Sequence, residues 1–451
     1  MISVALSVLN IINIVICVLF VFCYAYQFVY IPIALFARRR PHKPVVIHEF
    51  AVLVAAHNEE AVLGQLLASL YAQDYPKEHF RVFVIADNCN DGTVRVAREA
   101  GATVYERHDT EHIGKGYALN YLLGALDRDF GKGAFDAYIV FDADNLADRR
   151  FITEINKTYS DGYEIVTAYR NSKNYGDTWI SAGSGMWFIR DSRYLNGARF
   201  ALGSSAVLAG TGFLFSDKIK EECGGWPFHC LTEDTEFMVH NVLQGHTVGY
   251  AADAMFYDEQ PTGFVSSWNQ RIRWAKGGLQ VFAKYFGGLV RGLFTKMSFT
   301  CYDFLMSVAP AYVLSIAAVF VNVARIVLSI VAGNGVEALV TAAQMIGGMY
   351  GMLFVFSVLA TITEWKKIRC TPGKKILYLF TFPLFMLTYI PIAFFALFIK
   401  VKWKTIPHTK AKTIEEMEQG SVVKEEIPAE SAAEEDTHTA DVRIRETANN
   451  Y

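Results

Sequence analysis

The sequence predicts an α/β domain with a mainly parallel sheet, set between apolar segments long enough to cross a bilayer. Between about residues 45 and 275, short β-branched runs alternate with helical patterns, the arrangement that builds strand-helix-strand units. Residues 2–36 hold no charged side chain, against the roughly 20 residues a spanning helix needs. Carboxylates sit directly after predicted strands, at Asp87 and at Asp142-Ala-Asp144, and ligands of such sheets bind beyond the carboxyl ends of the strands.

Residues 1–37 read as one membrane helix. A cleaved leader would carry its basic residues before a shorter apolar core, whereas Arg38, Arg39 and Arg40 follow a long one. By the positive-inside tendency this cluster holds the next domain in the cytoplasm and leaves the N-terminus outside. Residues 50–56 are then the first strand, Leu63, Leu66, Leu67 and Leu70 mark one face of a helix, and residues 82–85 a second strand ending at Asp87. A third strand is expected at 102–105, a helix at 117–126, and a strand at 138–141 that runs into Asp142.

Residues 276–298 mix Phe, Leu and Val with Lys284, Arg291 and Lys296, as helices in a membrane interface do. The C-terminal membrane region, 299–400, holds two spans, at 299–332 and 338–363, and a third apolar stretch at 376–399 containing Pro383 and Pro391. A full crossing by that third stretch would put Lys400, Lys402, Lys404, Lys410 and Lys412 outside, against the positive-inside tendency. The expectation is that the prolines break it into a re-entrant or shallow hairpin; the alternative is a plain crossing with an atypical tail. Residues 413–451 are acidic, poor in aromatics and expected to be disordered.

Across 451 residues, 52% are hydrophobic and 19% charged, greasier than a soluble protein. The net charge of −3 and the lack of a dense basic tract in the central domain argue against nucleic acid. The seven cysteines are scattered without metal or CxxC spacing and read as free thiols.

Two carboxylates one residue apart, Asp142 and Asp144, suit a divalent ion shared with phosphate oxygens, Mg2+ or Mn2+; a polar turn is the other reading. His57, Glu59 and Asp87 fall where a nucleobase and ribose would lie, although the run from Asp87 to Gly92 is also rich in turn formers. Lys115, between Gly114 and Gly116, would face the nucleotide from a helix start. In Thr232-Glu233-Asp234, Asp234 is placed to take a proton from an acceptor hydroxyl, and Thr232 and Asp234 equally suit a helix cap. Gln270, Arg271, Arg273 and Trp274 combine donors for a leaving diphosphate with a ring on which a sugar can stack; a basic helix at the membrane surface would look the same.

Taken in order, Asp87, Asp142-Ala-Asp144, Thr232-Glu-Asp234 and Gln270-Arg-Ile-Arg-Trp274 resemble the signature of membrane-embedded family 2 glycosyltransferases such as cellulose, chitin and hyaluronan synthases. The resemblance spans residues 45–280 with the membrane framing. It implies a GT-A-type fold, a Rossmann-like mixed sheet, using a UDP-sugar and a divalent metal with inversion at the anomeric carbon. Asp87 would contact uridine, Asp142 and Asp144 the diphosphate and metal, Asp234 would be the base, and residues 270–274 would bind leaving group and acceptor. Ala209-Gly-Thr-Gly-Phe-Leu-Phe215 stands where cellulose synthases carry an FFCGS-like acceptor motif, making Gly212, Phe213 and Glu233 the expected acceptor contacts.

The expected activity is that of a processive β-linked polysaccharide synthase, multi-pass in the plasma membrane with a cytoplasmic catalytic domain. A glycolipid synthase acting on a lipid acceptor is the alternative, since some ceramide and diacylglycerol glucosyltransferases have a similar motif series. A nucleotide-sugar-binding transporter or scaffold would leave Asp234 without a task.

Overall fold

The computed structural model describes residues 2–38, 41–401 and 408–419. After α1 (Ile2–Phe36), β1 (Phe50–Ala56), α2 (Leu63–Tyr71), β2 (Phe80–Asp87), α3 (Thr93–Glu99), β3 (Thr103–Arg107), α4 (Lys115–Phe130) and β4 (Ala137–Asp142) alternate as expected. The strands pair in parallel, β3 on β2, β2 on β1 and β1 on β4. Each crossover helix returns the chain to the same edge, so the carboxyl ends of all four strands lie together.

The second half is β5 (Leu146–Ala147), α5 (Phe151–Ser160), β6 (Ile165–Ser172), α6 (Trp179–Ile189), α7 (Gly197–Ala201), β7 (Phe213–Ser216), α8 (Asp217–Cys223), α9 (Glu233–Gln244) and β8 (Val248–Asp258). A π-helical turn, Arg190–Asn196, joins α6 to α7. Strand β7 inserts antiparallel between β4 and β6, while β8 runs parallel to β6, giving the order β3-β2-β1-β4-β7-β6-β8-β5. The sheet is therefore parallel in its first half and mixed in its second.

Strand alternation sorts the core into two layers. Ala51 and Leu53 of β1 face Leu119, Leu122 and Leu126 of α4. Phe50, Val52 and Val54 face Leu63, Leu66 and Leu67 of α2 with Phe151 and Ile155 of α5. Both faces are sealed, and function is left to the strand ends.

Beyond β8 come α10 (Phe264–Lys296), α11 (Phe299–Val331), α12 (Gly335–Thr363), α13 (Pro372–Leu387) and α14 (Tyr389–Phe398). Among the described residues four segments are long and apolar enough to cross a membrane: Ile2–Phe36, Phe299–Val331, Ala338–Thr363 and Pro372–Phe398. The expected boundary at 275/276 is corrected, because α10 is one unbroken helix of 33 residues. No proline interrupts it, and its packed face continues from Ile272 through Val281 to Leu289.

Pro383 and Pro391 deprive the carbonyls of Leu379 and Leu387 of their helical donors. Ser357 Oγ donates to Leu379 O at 3.1 Å, and the helix is interrupted only at Thr388, which keeps a helical backbone with φ of −68° and ψ of −14°. Helix α14 then packs along α10, where Ile392 and Ala396 meet Ile272. Near its start the segment touches the catalytic domain through Lys374 Nζ to Gly176 O at 2.6 Å, and past its end His408 Nδ1 lies 2.9 Å from Glu59 Oε1. Both flanks thus contact the catalytic domain.

The expectation of disorder from residue 413 is corrected for its first residues. Helix α15 (Ile414–Gln419) buries Ile414 and Met417 against Leu146 and Tyr257, and Glu415 pairs with Arg149 at 3.0 Å. Two apolar side chains three apart give this acidic stretch one sticky face, which composition averaged away. Residues 420–451, together with Arg39, Arg40, Lys402 and Lys404, lie outside the described residues.

Candidate active site

The strand ends open into one cavity of about 1200 Å³ that also reaches α1, α11, α12 and α13. Strand β1 delivers His57 and Glu59, β2 delivers Asp87, and the turn after β4 delivers Asp142 and Asp144 to its wall. Lys115, Glu233, Asp234, Gln270, Arg273 and Trp274 line it as well. Eleven of the fourteen side chains expected at the site are brought together.

At the nucleotide end, His57 Nδ1 lies 2.7 Å from Asp87 O. The Asp87 carboxylate is buried and accepts from Arg107 Nη1 at 2.6 Å. Burial raises its pKa and the Arg107 partner counters the rise. Asn58 and Asn88, which follow β1 and β2, both have left-handed backbones, with φ of 58° and 52°. The segment after Asp87 is therefore a turn, as its turn formers predict.

Lys115 opens α4, after Gly114, whose φ of 137° no other residue adopts readily. Its Nζ lies 2.5 Å from Asp142 Oδ1 and 2.7 Å from Gly210 O. Burial opposes the ammonium charge, but Asp142 and Glu233 outweigh it and raise the Lys115 pKa. Asp142 is the more open of the carboxylate pair, and Asp144 is buried beneath it. Asp144 Oδ2 accepts from Glu259 N at 3.3 Å and lies 3.9 Å from His408 Nε2. Burial drives the Asp144 carboxyl well above its ordinary pKa, with His408 opposing.

Among the described residues no group of three or more His, Cys, Asp or Glu side chains could hold a metal ion unaided. Asp142 and Asp144 supply hard oxygen donors at the strand end, which fits Mg2+ or Mn2+ completed by phosphate and water.

Opposite stands the start of α9. Thr232 occupies the N-cap position without a side-chain cap bond, and its Oγ1 is buried without a partner. Glu233 and Asp234 fill the first helical turn. Burial, and then the charge of Asp234, push Glu233 up to about 7; burial raises Asp234 too, while the Thr235 amide and Lys115 restrain it. The pair can hold and release a proton near neutrality.

Gln270 Oε1 is buried without a partner, Arg273 Nη1 donates to Leu231 O at 3.4 Å, and the Trp274 ring meets Phe188 edge-on at 5.9 Å. Arg271 is corrected: it is 1% exposed, outside the cavity lining, and turned toward Thr388 and Phe385. Helical spacing explains this, since residues 270, 273 and 274 share a face that 271 does not. Gly212 and Phe213 are likewise corrected. Phe213 lies in the core of β7 at 1% exposure, and Gly212 packs on the Phe256 ring with φ of 62°. Ala209 and Gly210, at the start of that loop, are the part facing the site.

Four site residues escaped the sequence reading. Arg107 ends β3 and Asp258 ends β8, so strand-end position was the available signal. Arg170 forms a buried pair with Asp258 and donates to Ala209 O at 2.6 Å, fixing the loop beside Lys115. His408 had no local signal, because α15 and the amides of Thr409 and Lys410, each 3.0 Å from Glu259, bring it there.

A mixed sheet with these strand-end carboxylates is a GT-A-like glycosyltransferase fold. Within that class the chain belongs to the family described as glycosyltransferase like family 2, which matches residues 48–277, over half its length. A beta-monoglucosyldiacylglycerol synthase of Synechocystis is 26% identical over 52% of this chain and 49% of its own. Cellulose synthase 1 of Komagataeibacter xylinus is 27% identical over 51% of this chain and 15% of its own. The chain thus spans about half or less of the length of these relatives. A mannosyltransferase from Pyrobaculum calidifontis, solved with GDP-mannose and Mn2+, shares the fold with a TM-score of 0.55 at 17% identity, covering 86% of this chain and 99% of that one.

Proposed function

We propose that the protein is a multi-pass membrane glycosyltransferase that moves a sugar from a UDP-sugar to an acceptor hydroxyl, inverting the anomeric carbon. The supporting observation is that one cavity joins the Asp142/Asp144 turn, the Glu233/Asp234 helix start and the apolar helices. Asp87 and His57 hold the nucleoside. Asp142 and Asp144 would hold a Mg2+ or Mn2+ ion, which would supply charge neutralisation for the departing diphosphate. Asp234 takes the acceptor proton as that oxygen bonds to the anomeric carbon, and the carbon–oxygen bond to the diphosphate breaks, releasing UDP. Arg273 meets the leaving group, and Trp274 offers a face to the sugar.

The processive polysaccharide reading and the glycolipid reading share this chemistry, and relatives bearing names of both kinds are found. The catalytic domain is assigned to the cytoplasmic face, with α1, α11 and α12 crossing. The contacts of both flanks with the catalytic domain, Lys374 to Gly176 and His408 to Glu59, support a hairpin for the last apolar segment. The test is to supply purified protein with UDP-glucose, UDP-N-acetylglucosamine, UDP-glucuronate or UDP-galactose, with and without chelator. Metal-dependent UDP release with one donor is expected; none with any donor refutes the reading.

A further inference from the structure

The cavity does not close above the catalytic residues. Its upper wall is made by Phe20, Tyr24 and Phe28 of α1 with Met352, Val355 and Leu359 of α12. Three of these side chains are also half exposed or more, at 56% for Phe28, 50% for Met352 and 67% for Val355. A residue that lines a cavity and is half exposed marks a mouth. Both helices are flanked by α11, yet α1 and α12 make no extended packing with each other. The mouth is therefore lateral, and it opens on the apolar belt of the helices.

Depth is the second observation. The lining reaches Phe20 in α1, Ser315 in α11 and Gly351 in α12, and no described residue of 2–19, 316–331 or 335–350 contributes to it. Those stretches form the halves of the three helices farther from the catalytic domain. A path for a growing polymer has to continue through that half; this one turns out sideways at mid-depth. Between the mouth and Asp234 sits a polar band, where Arg190 Nη2 donates to Gln27 Oε1 at 3.1 Å and Arg190 pairs with Asp191 at 3.0 Å.

We propose that the acceptor is a membrane lipid with a free hydroxyl on its head group, which enters between α1 and α12 and receives a single sugar. This rests on the glycosyltransferase reading above. The tails stay against the apolar mouth, where water would be costly, and the head passes the Arg190 band to reach Asp234. The hydroxyl proton goes to Asp234, the lipid oxygen bonds to the anomeric carbon, and UDP leaves with the electron pair of the broken bond.

Gly351 allows a test, since a side chain built there meets no atom within 4 Å. Wild-type protein, Gly351→Trp, Met352→Trp and Gly351→Ala are reconstituted in phosphatidylcholine vesicles containing diacylglycerol, with a parallel set containing ceramide. Each is given the labelled UDP-sugar that supports UDP release. The wild type and Gly351→Ala should make an organic-extractable lipid bearing one sugar. The two tryptophan variants should lose about tenfold or more of that product, while UDP binding stays within about twofold of wild type. Label held in a polymer at the chromatographic origin, neither lipid taking a sugar while UDP is released, or full lipid transfer by both tryptophan variants overturns the lipid portal alone. Absence of UDP release with every donor overturns the underlying glycosyltransferase reading with it.

Discussion

Arg271 Nη1 lies 2.6 Å from Thr388 Oγ1 and 3.5 Å from Phe385 O, so the first arginine of the Gln270–Trp274 motif holds the break between α13 and α14. Its guanidinium also covers the rings of Phe385 and Tyr389, at 4.3 and 5.0 Å. The two arginines of one motif have separate tasks. Charged hydrogen bonds of this kind contribute about 1.5–3 kcal/mol, and a desolvated cation–π contact about 2 kcal/mol. Arg271→Ala should therefore lower Tm in detergent by several degrees without a specific loss of UDP affinity. Arg273→Ala should do the reverse, leaving Tm within a degree or two and weakening donor binding. Thermal unfolding and UDP titration on both variants separate the roles, and matching behaviour would remove the distinction.

The acid limb of the reaction is set by the carboxyl pair at the start of α9. Burial raises both Glu233 and Asp234, Glu233 to about 7, so the pair takes up a proton as pH falls through neutrality. A base must be ionised to accept the acceptor proton, and burial raises Asp234, so the acid limb of kcat/KM should lie above the ordinary carboxylate range. Lys115 lowers both groups, and removing its charge raises them. Lys115→Met should move the fall to higher pH, besides weakening the hold on Asp142. A pH–rate profile that stays put in this variant would separate Lys115 from the pair.

Asp234→Asn keeps the shape of the helix start and removes the proton acceptor. General-base catalysis contributes roughly 10²–10⁴-fold, so turnover should fall by about that factor while UDP still binds. Glu233→Gln should be milder, because only its partner faces the proton transfer in the proposed mechanism. Near-normal turnover in Asp234→Asn, measured as UDP release under saturating donor, would falsify its role as base.

How far the sequence foretold this site depends on whether position or partner decides a residue's task. Asp87, Asp142 and Asp144 were legible because a parallel strand ends where its ligand binds, and β2 and β4 end where the β-branched runs stop. Arg107 obeys the same rule at the end of β3, two residues beyond the 102–105 run that marks the strand in the sequence. Arg271 was misread because a motif lists residues in line, while a helix turns each by about 100° and sends neighbours to different partners. Gly212 and Phe213 were misplaced for a related reason: β7 starts at Phe213, so the loop's functional end is Gly210. His408 lies 349 positions from Glu59 along the chain, and only the fold brings them together.

The catalytic domain is tied to the apolar helices α1 and α11 by a charge pair that water scarcely reaches. Arg199 Nε in α7 lies 2.5 Å from Asp303 Oδ2 in α11, with side chains 5% and 4% exposed, and Tyr26 OH in α1 donates to Asp303 Oδ1 at 2.7 Å. Three elements from distant parts of the chain meet on one carboxylate. Removing one partner of such a pair leaves a buried charge without compensation and costs about 3–5 kcal/mol, whereas replacing both with apolar groups of similar size is often neutral. Asp303→Ala should therefore lower Tm sharply and raise protease sensitivity near α7, and Arg199→Met with Asp303→Leu should recover much of the loss. Because this joint is also the floor beneath the mouth between α1 and α12, both residues line the cavity. The double variant should keep its fold yet hold the acceptor less well, raising the acceptor KM more than the donor KM; equal changes in both would mean that the pair serves the fold only.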